Sequence, residues 1–187
     1  MKQMTVIPFL ILAVSASLQA QSVAEEIARA VMAAPPALTA EAGVVRLADD
    51  GSHEVLRESS NGLVCYDRSN EPGRDFSTQC TNVGNLRRAG QNHKVRMSSA
   101  NAEEANVMFT AQENDGSREP PEFGSVWYTL NGTNQESASS NAAHITIAVP
   151  FSTTDTLGLP SEGSYSQSGS WIMEAGTSAA HIMIPGR

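Results

Sequence analysis

The sequence has few cysteines, few aromatic residues and few basic residues. Its 187 residues include two Cys, 5% Phe, Trp and Tyr, and 12 Lys and Arg against 20 Asp and Glu, which gives a net charge of −8. Such an acidic chain is a poor candidate for binding nucleic acid or an anionic membrane surface. A phosphate-binding loop, a dinucleotide fingerprint, a Gly-x-Ser-x-Gly elbow and a Cys-x-x-Cys pair are all missing, so we expect no cofactor.

Long hydrophobic runs are also missing, apart from one near the N-terminus. Residues 1–20 contain a single positive charge, then an apolar run at 6–14, and end in small and polar residues. This layout is typical of a cleavable secretory signal peptide, and the run is shorter than the roughly 20 apolar residues that cross a bilayer. We therefore expect a protein that is secreted or periplasmic, with no membrane insertion after signal cleavage.

The two cysteines, Cys65 and Cys80, form an even pair in a chain with an export signal. In an oxidising compartment such a pair is typical of a disulfide. The alternative is that one of them is a nucleophile, which needs a thiolate and a nearby base. The export signal favours the disulfide.

Residues 21–42 have the pattern of an amphipathic helix followed by a proline-containing linker. Apolar side chains recur with helical spacing from Val23 to Ala34, and Pro35 and Pro36 then end the helix. We expect the apolar stripe to dock on the rest of the chain, with the surface of a protein partner as the alternative.

Residues 43–187 are predicted to form a mainly antiparallel β domain. Strand-like segments follow one another from residue 43 to residue 67 and predict a three-stranded meander with a turn at Asn61-Gly62. A helix is predicted at 101–114 and a hairpin near the C-terminus. The predicted fold class is α+β, a single domain of short antiparallel strands with an N-terminal helix and one disulfide.

The stretch at 86–96 holds several of the basic residues. It could receive an anion, but its composition is also that of an ordinary solvated face, and we expect the latter. Glu71 and Asp75 flank Pro72-Gly73 and are expected to serve only the turn. His93 is expected to lie in a loop.

The sharpest motif is a repeat of Ala-Ala-His-Ile, which contains His144 and His181. Alternation along a strand places Thr146 on the same face as His144, and Met183 on the same face as His181. If the two strands were neighbours in matching register, opposite side chains would have Cβ atoms about 4.5–5.5 Å apart.

This repeat allows two kinds of site. One is a phosphoesterase-like pocket that uses His144 and His181 as catalytic groups and Thr146 as a hydroxyl donor, although Met183 replaces the second hydroxyl. The other is a metal site formed by both histidines and Glu174, where a further ligand would be needed for catalytic zinc. The structural alternative, which we favour, is that both are partly buried strand residues that donate to a carbonyl or carboxylate.

Several segments resemble an uncharacterised family of small secreted bacterial proteins. They are an Asn-Gly-x-x-Cys segment ending at Cys65, a second cysteine after a Pro-Gly turn, and two late strands of the His-x-Met type. Thr146 stands where the family has methionine, Ala143 where it has proline, and Leu63-Val64 where it has an aromatic pair. The resemblance implies export and this architecture, and it implies no reaction.

These observations predict an exported, non-enzymatic binding or structural protein that could have a protein partner. The alternative is a hydrolase of the phosphoesterase type, or a metal-binding protein, that uses His144 and His181.

Overall fold

A computed structural model of the chain describes residues 22–164 and 169–184, so the predicted signal peptide at 1–20 lies outside the described residues. Within this part of the chain, eight strands form one sheet: β1 Gly43–Leu47, β2 His53–Arg57, β3 Leu63–Asp67, β4 Phe76–Asn82, β5 Val126–Gly132, β6 His144–Ala148, β7 Trp171–Met173 and β8 His181–Ile184. The α-helices are α1 at 22–30, α2 Leu86–Met97, α3 Ala102–Asn114, α4 Gln135–Ser139 and α5 Thr154–Leu157. The fold class is α+β, as predicted.

The order of the strands is β2-β1-β3-β4-β5-β6-β8-β7. Every neighbouring pair is antiparallel except β1 and β3, which run parallel. The prediction of a three-stranded meander is therefore wrong, because β3 pairs with β1 on the side away from β2. Asn61-Gly62 belongs to the crossover that carries the chain past β1, and Gly62 there has a φ of +77°. The predicted C-terminal hairpin is confirmed as β7 and β8.

One side of the sheet, which we call the back face, carries Cys65, Cys80 and Leu130. The apolar stripe of α1 packs on it, as expected, and a short 3-10 helix at Val31–Ala33 extends this contact. The predicted disulfide is present and joins directly opposite residues of β3 and β4. The back face thus forms the larger apolar core of the molecule.

The other side, the front face, carries Tyr66, Gln79, Thr129 and His144, which lie opposite one another on successive strands. Helix α2 packs over β1 and β3 on this side through Leu86 and Ala89, and α3 packs against α2. The remaining part of the front face is open and forms the floor of a cleft.

A close approach between backbones seats α2 on the sheet. A Cβ added to Gly90 would lie 2.1 Å from the carbonyl oxygen of Gly51, in the turn between β1 and β2. Glycine at this position therefore lets the helix contact the turn directly. In the part of the chain that the structure covers, none of the helices has the length and apolar character that a membrane span requires.

Candidate functional site

A cleft of about 770 Å³ lies between the front face of the sheet and helices α2 and α3. Its volume falls within the ~300–1,000 Å³ range of small-molecule sites. His144, Thr146, Glu174 and His181, the site residues suggested by the sequence, all line it. The structure therefore brings all four candidates to one cavity.

The cleft is cationic, although the chain as a whole is acidic. Five of the ten arginines in the sequence line it, together with three glutamates: Arg68, Arg74, Arg88, Arg96 and Arg118, with Glu71, Glu113 and Glu174. Five positive groups against three negative groups give a formal charge of +2, in a chain whose net charge is −8. A concave site whose charge opposes that of the whole chain attracts anions selectively.

Glu71 is the centre of the cationic end of the cleft and is only 3% exposed. Its Oε2 lies 3.3 Å from Nε of Arg68, 2.5 Å from Nε of Arg74 and 3.6 Å from Nε of Arg96. Its Oε1 lies 3.1 Å from Nδ1 of the buried His93. We call Arg68, Arg74 and Arg96 the arginine triad.

The electrostatics of this cluster keep Glu71 ionised. Burial alone would raise the pKa of its carboxyl, but the hydrogen bond with His93 and the charges of the triad outweigh burial and lower the pKa to about 2. Because the ionised carboxylate can only accept, Nδ1 of His93 donates. Burial and the like charges of Arg68 and Arg74 lower the pKa of Arg96 to about 10, which still leaves it charged at neutral pH.

Each arginine of the triad turns its Nε toward Glu71, which leaves the terminal guanidinium nitrogens available. Those nitrogens make no hydrogen bond to any residue within 22–164 or 169–184. Arg68 is only 8% exposed, so its guanidinium has little access to bulk water. Guanidinium groups in this position are donors for a carboxylate or phosphate ligand.

The loop between β3 and β4 places three of these side chains. Its backbone makes successive turns, in which Glu71 N donates to Arg68 O and Arg74 N donates to Glu71 O. Because Arg68 and Arg74 are each three residues from Glu71, these turns put both guanidinium groups beside the Glu71 carboxylate. The disulfide closes the base of the same loop from the back face, so the covalent bond restrains the segment that forms the site.

A second group of charges at the other end of the cleft is internally compensated. Arg88 donates to the backbone oxygen of Glu119 and to Ser178, and Ser178 in turn donates to Glu113. Nη1 of Arg118 lies 4.0 Å from the Glu113 carboxylate. The charges of Glu113 and Glu174 offset those of Arg88 and Arg118, so the formal excess of positive charge lies with the triad.

Phe109 of α3 separates the two ends of the cleft. Its ring centroid lies 5.3 Å from Cζ of Arg96 and 4.3 Å from Cζ of Arg118. Cation–π contacts of this kind hold guanidinium groups in fixed orientations. The ring thus couples the position of α3 to both arginines.

Three front-face side chains form a hydrogen-bonded row beside the triad. Tyr66 Oη donates to Gln79 Oε1 at 2.7 Å, and Gln79 Nε2 donates to Thr129 Oγ1 at 2.7 Å. The hydroxyl hydrogen of Thr129 has no acceptor among the residues that the structure describes. The row therefore ends at the Thr129 hydroxyl, which can donate a hydrogen bond. Thr129 lies directly opposite His144 on β6.

The two histidines share the cleft but do not lie opposite each other. Strands β6 and β8 are antiparallel neighbours, and His181 lies opposite Ala148, four residues along β6 from His144. The matching register considered from the sequence is therefore wrong, because the strands pair with an offset of roughly 13 Å at the usual rise per residue. Both histidines are half-buried.

The imidazoles differ in their surroundings. Nδ1 of His181 donates to the carbonyl oxygen of Ala179 at 2.8 Å, which points its Nε2 away from this bond. Burial, and then the charges of His181 and Arg68, lower the pKa of His144. A lowered pKa favours the neutral imidazole of His144 at neutral pH.

The structure gives no support for the metal site proposed from His144, His181 and Glu174. Over residues 22–164 and 169–184, no group of three His, Cys, Asp or Glu side chains is arranged to hold a metal ion. Glu174 lies at the exposed edge of the cleft, with a φ of +54°.

The most charged part of the site was not predicted from the sequence. The stretch at 86–96 was expected to be a solvated face, yet it forms most of α2, where Arg88 is 4% exposed and His93 1% exposed. Glu71 was expected to serve only a turn. One signal was present: an acidic chain with basic residues concentrated near 68–96.

Comparison with known proteins adds no further constraint, since no family model, curated protein or solved structure matches this chain.

Proposed function

We propose that this chain is an exported, non-enzymatic binding protein that takes a small anionic ligand in the cleft. The observation that carries this proposal is the arginine triad, which shares one buried carboxylate and keeps its terminal nitrogens free of bonds to the described residues. Export rests on the predicted signal peptide and on the family resemblance, and the disulfide is compatible with it.

The concentration of buried charge at the triad lowers the stability of the fold. Buried charges weaken a fold unless they are well paired, and here three guanidinium groups surround a single carboxylate. Apolar residues of similar volume would stabilise the same position at least as well. A bound anion pairs with the guanidinium charges that Glu71 leaves unbalanced, so anion binding accounts for their presence in the fold.

Calorimetric titration of the mature protein with inorganic phosphate and with acetate at low salt tests the proposal. We expect measurable binding that weakens about 10–100-fold in Arg96→Gln, because a charge-assisted hydrogen bond is lost. Arg87→Gln is the matched control, since Arg87 lies on the same helix but has an 82% exposed side chain outside the cleft. Absence of binding, or equal weakening in both variants, would contradict the proposal.

A second candidate is the phosphoesterase-like hydrolase, favoured by one observation: His144, Thr146 and His181 line the same cleft as the arginines. A neutral imidazole can accept a proton from an attacking water, and the guanidinium groups can stabilise charge on a phosphoryl group. The offset register of the two strands argues against concerted action of both rings.

An assay of the mature protein with bis(p-nitrophenyl) phosphate separates the two candidates. The binding proposal predicts no turnover above background. Turnover that disappears in both His144→Ala and His181→Ala, while each variant keeps the unfolding transition of the parent, would instead establish the hydrolase.

A further inference from the structure

The arginine triad carries more positive charge than a singly charged anion would neutralise. Three guanidinium groups surround Glu71, which supplies one negative charge. The local excess is therefore two positive charges, held on side chains of which Arg68 is almost completely buried. A dianionic group balances this excess, whereas a carboxylate or a sulfate ester leaves one positive charge unpaired beside the buried Arg68.

The other end of the cleft does not call for a second anion. There Arg88 and Arg118 face Glu113 and Glu174, so the formal charges cancel. One terminal nitrogen of Arg88, Nη1, donates to Ser178 and to the backbone oxygen of Glu119. The ligand therefore needs one doubly charged group at the triad, with an uncharged body along the rest of the cleft.

The lining between the charged ends is suited to hydroxyl groups. The lining includes several uncharged amide and hydroxyl side chains, among them Gln79, Asn92, Thr129, Asn131 and Thr146. Two of them have unused capacity toward the described residues, since Oδ1 of Asn92 has no donor and the Thr129 hydroxyl has no acceptor. A ligand hydroxyl can accept from the hydroxyl of Thr129.

The aromatic residues of the cleft do not provide a stacking surface for a nucleobase. Tyr66, Phe109 and Trp127 are 2%, 6% and 8% exposed, respectively. Guanidinium groups also lie against the ring of Phe109. Recognition of a base by stacking needs an accessible ring face, and these three rings do not offer one.

We infer that the cleft takes a small phosphate monoester whose body carries hydroxyl groups, such as a hexose phosphate. This inference rests on the proposed function and specifies its ligand. The monoester is a dianion above its second pKa of about 6, and its hydroxyls match the amide and hydroxyl lining.

The first test compares three hexose ligands that carry different anionic groups: glucose 6-phosphate, glucose 6-sulfate and glucuronate, titrated into the mature protein at pH 8. We expect the phosphate to bind at least tenfold more tightly than either singly charged ligand, and Arg96→Gln to remove this preference while Arg87→Gln keeps it. Equal binding of all three would overturn the dianion inference and leave anion binding intact. Failure of all three and of inorganic phosphate would overturn the proposed function itself.

The second test examines the body of the ligand. Glucose 6-phosphate should bind more tightly than inorganic phosphate, and Thr129→Val, which keeps the shape of the side chain, should weaken the hexose ligand about fivefold and leave inorganic phosphate unchanged. Equal affinity for the two ligands would overturn the hydroxyl part of the inference. Tighter binding of a nucleoside 5′-monophosphate than of glucose 6-phosphate would overturn the choice of body.

Discussion

The two faces of the sheet bury different kinds of side chain. The back face buries aliphatic side chains, alanines and a disulfide beneath α1. The front face buries Glu71, Arg68, Arg88 and His93 around an open cleft. Apolar burial stabilises a fold in proportion to the area removed from water, whereas buried charge stabilises it little or costs stability.

The two faces differ in how far packing alone accounts for their side chains. The apolar packing of the back face is explained by folding alone, because burial of its aliphatic side chains stabilises the fold. The triad is not, since its terminal nitrogens lack partners among the described residues while Arg68 is 8% exposed. The disulfide connects the two faces, because it is buried on the back and closes the loop that carries Glu71 to the front.

The largest effect is expected from Glu71→Gln. Removing the carboxylate leaves three neighbouring guanidinium groups without their counter-charge, and breaking a buried ion pair in this way costs about 3–5 kcal/mol. Urea unfolding at pH 7 measures the loss. Glu119→Gln is the control, because the Arg87–Glu119 pair is exposed and is worth at most about 1 kcal/mol. Similar losses in both variants would remove the distinction between the cleft and the surface.

Acid should erase the difference between the parent and Glu71→Gln. The folded pKa of Glu71, about 2, is below its ordinary value of 4.5, so the stabilisation is fully present above about pH 4.5 and is lost as the pH falls toward 2. The shift corresponds to roughly 3 kcal/mol. Unfolding free energies of both proteins measured between pH 6 and pH 2 should converge, and a constant difference over this range would contradict the ionised cluster.

Loss of the disulfide should act on the back face and on the site together. A bridge that closes a loop of 15 residues stabilises by roughly 3 kcal/mol. The double variant Cys65→Ala, Cys80→Ala should therefore unfold at lower urea concentration, and its phosphate affinity should fall because the loop 68–75 is less restrained. Unchanged affinity in a folded double variant would show that the loop holds its shape without the bridge.

A smaller effect, with an informative sign, is expected from Gly90→Ala. Helix propensity alone favours alanine by about 1 kcal/mol, but the added Cβ would lie 2.1 Å from a backbone oxygen of the facing turn. We expect net destabilisation of about 1–3 kcal/mol. Increased stability in thermal unfolding would mean that α2 does not contact the turn so closely.

Local elements could be predicted because their signals are local. The helix at 101–114 begins after Asn101, whose side chain caps it by accepting from Glu104 N, and the structure places α3 at Ala102–Asn114. The strands around Cys65 and His144 follow from alternation of side chains. The disulfide follows from an even pair of cysteines in a chain with an export signal.

Long-range arrangement could not be predicted from those signals. Helix α2 was missed, because its polar composition and Gly90 conceal the apolar contacts of Leu86 and Ala89. The parallel pairing of β1 with β3 leaves no mark in either strand. The Glu71 cluster joins a loop at 68–74 to His93 and Arg96, which lie about two turns or more from the start of α2. Only the packing of α2 on the sheet brings these charges together.

Nuclear magnetic resonance of the arginine side chains reports directly on anion binding at the triad. In ¹⁵N-labelled mature protein titrated with inorganic phosphate at low salt, we expect the Nε signals of Arg68, Arg74 and Arg96 to shift with one shared saturation curve, while those of Arg46 and Arg87 stay in place. Movement of the exposed arginines alone, or no saturable movement of the triad, would contradict an anion site in the cleft.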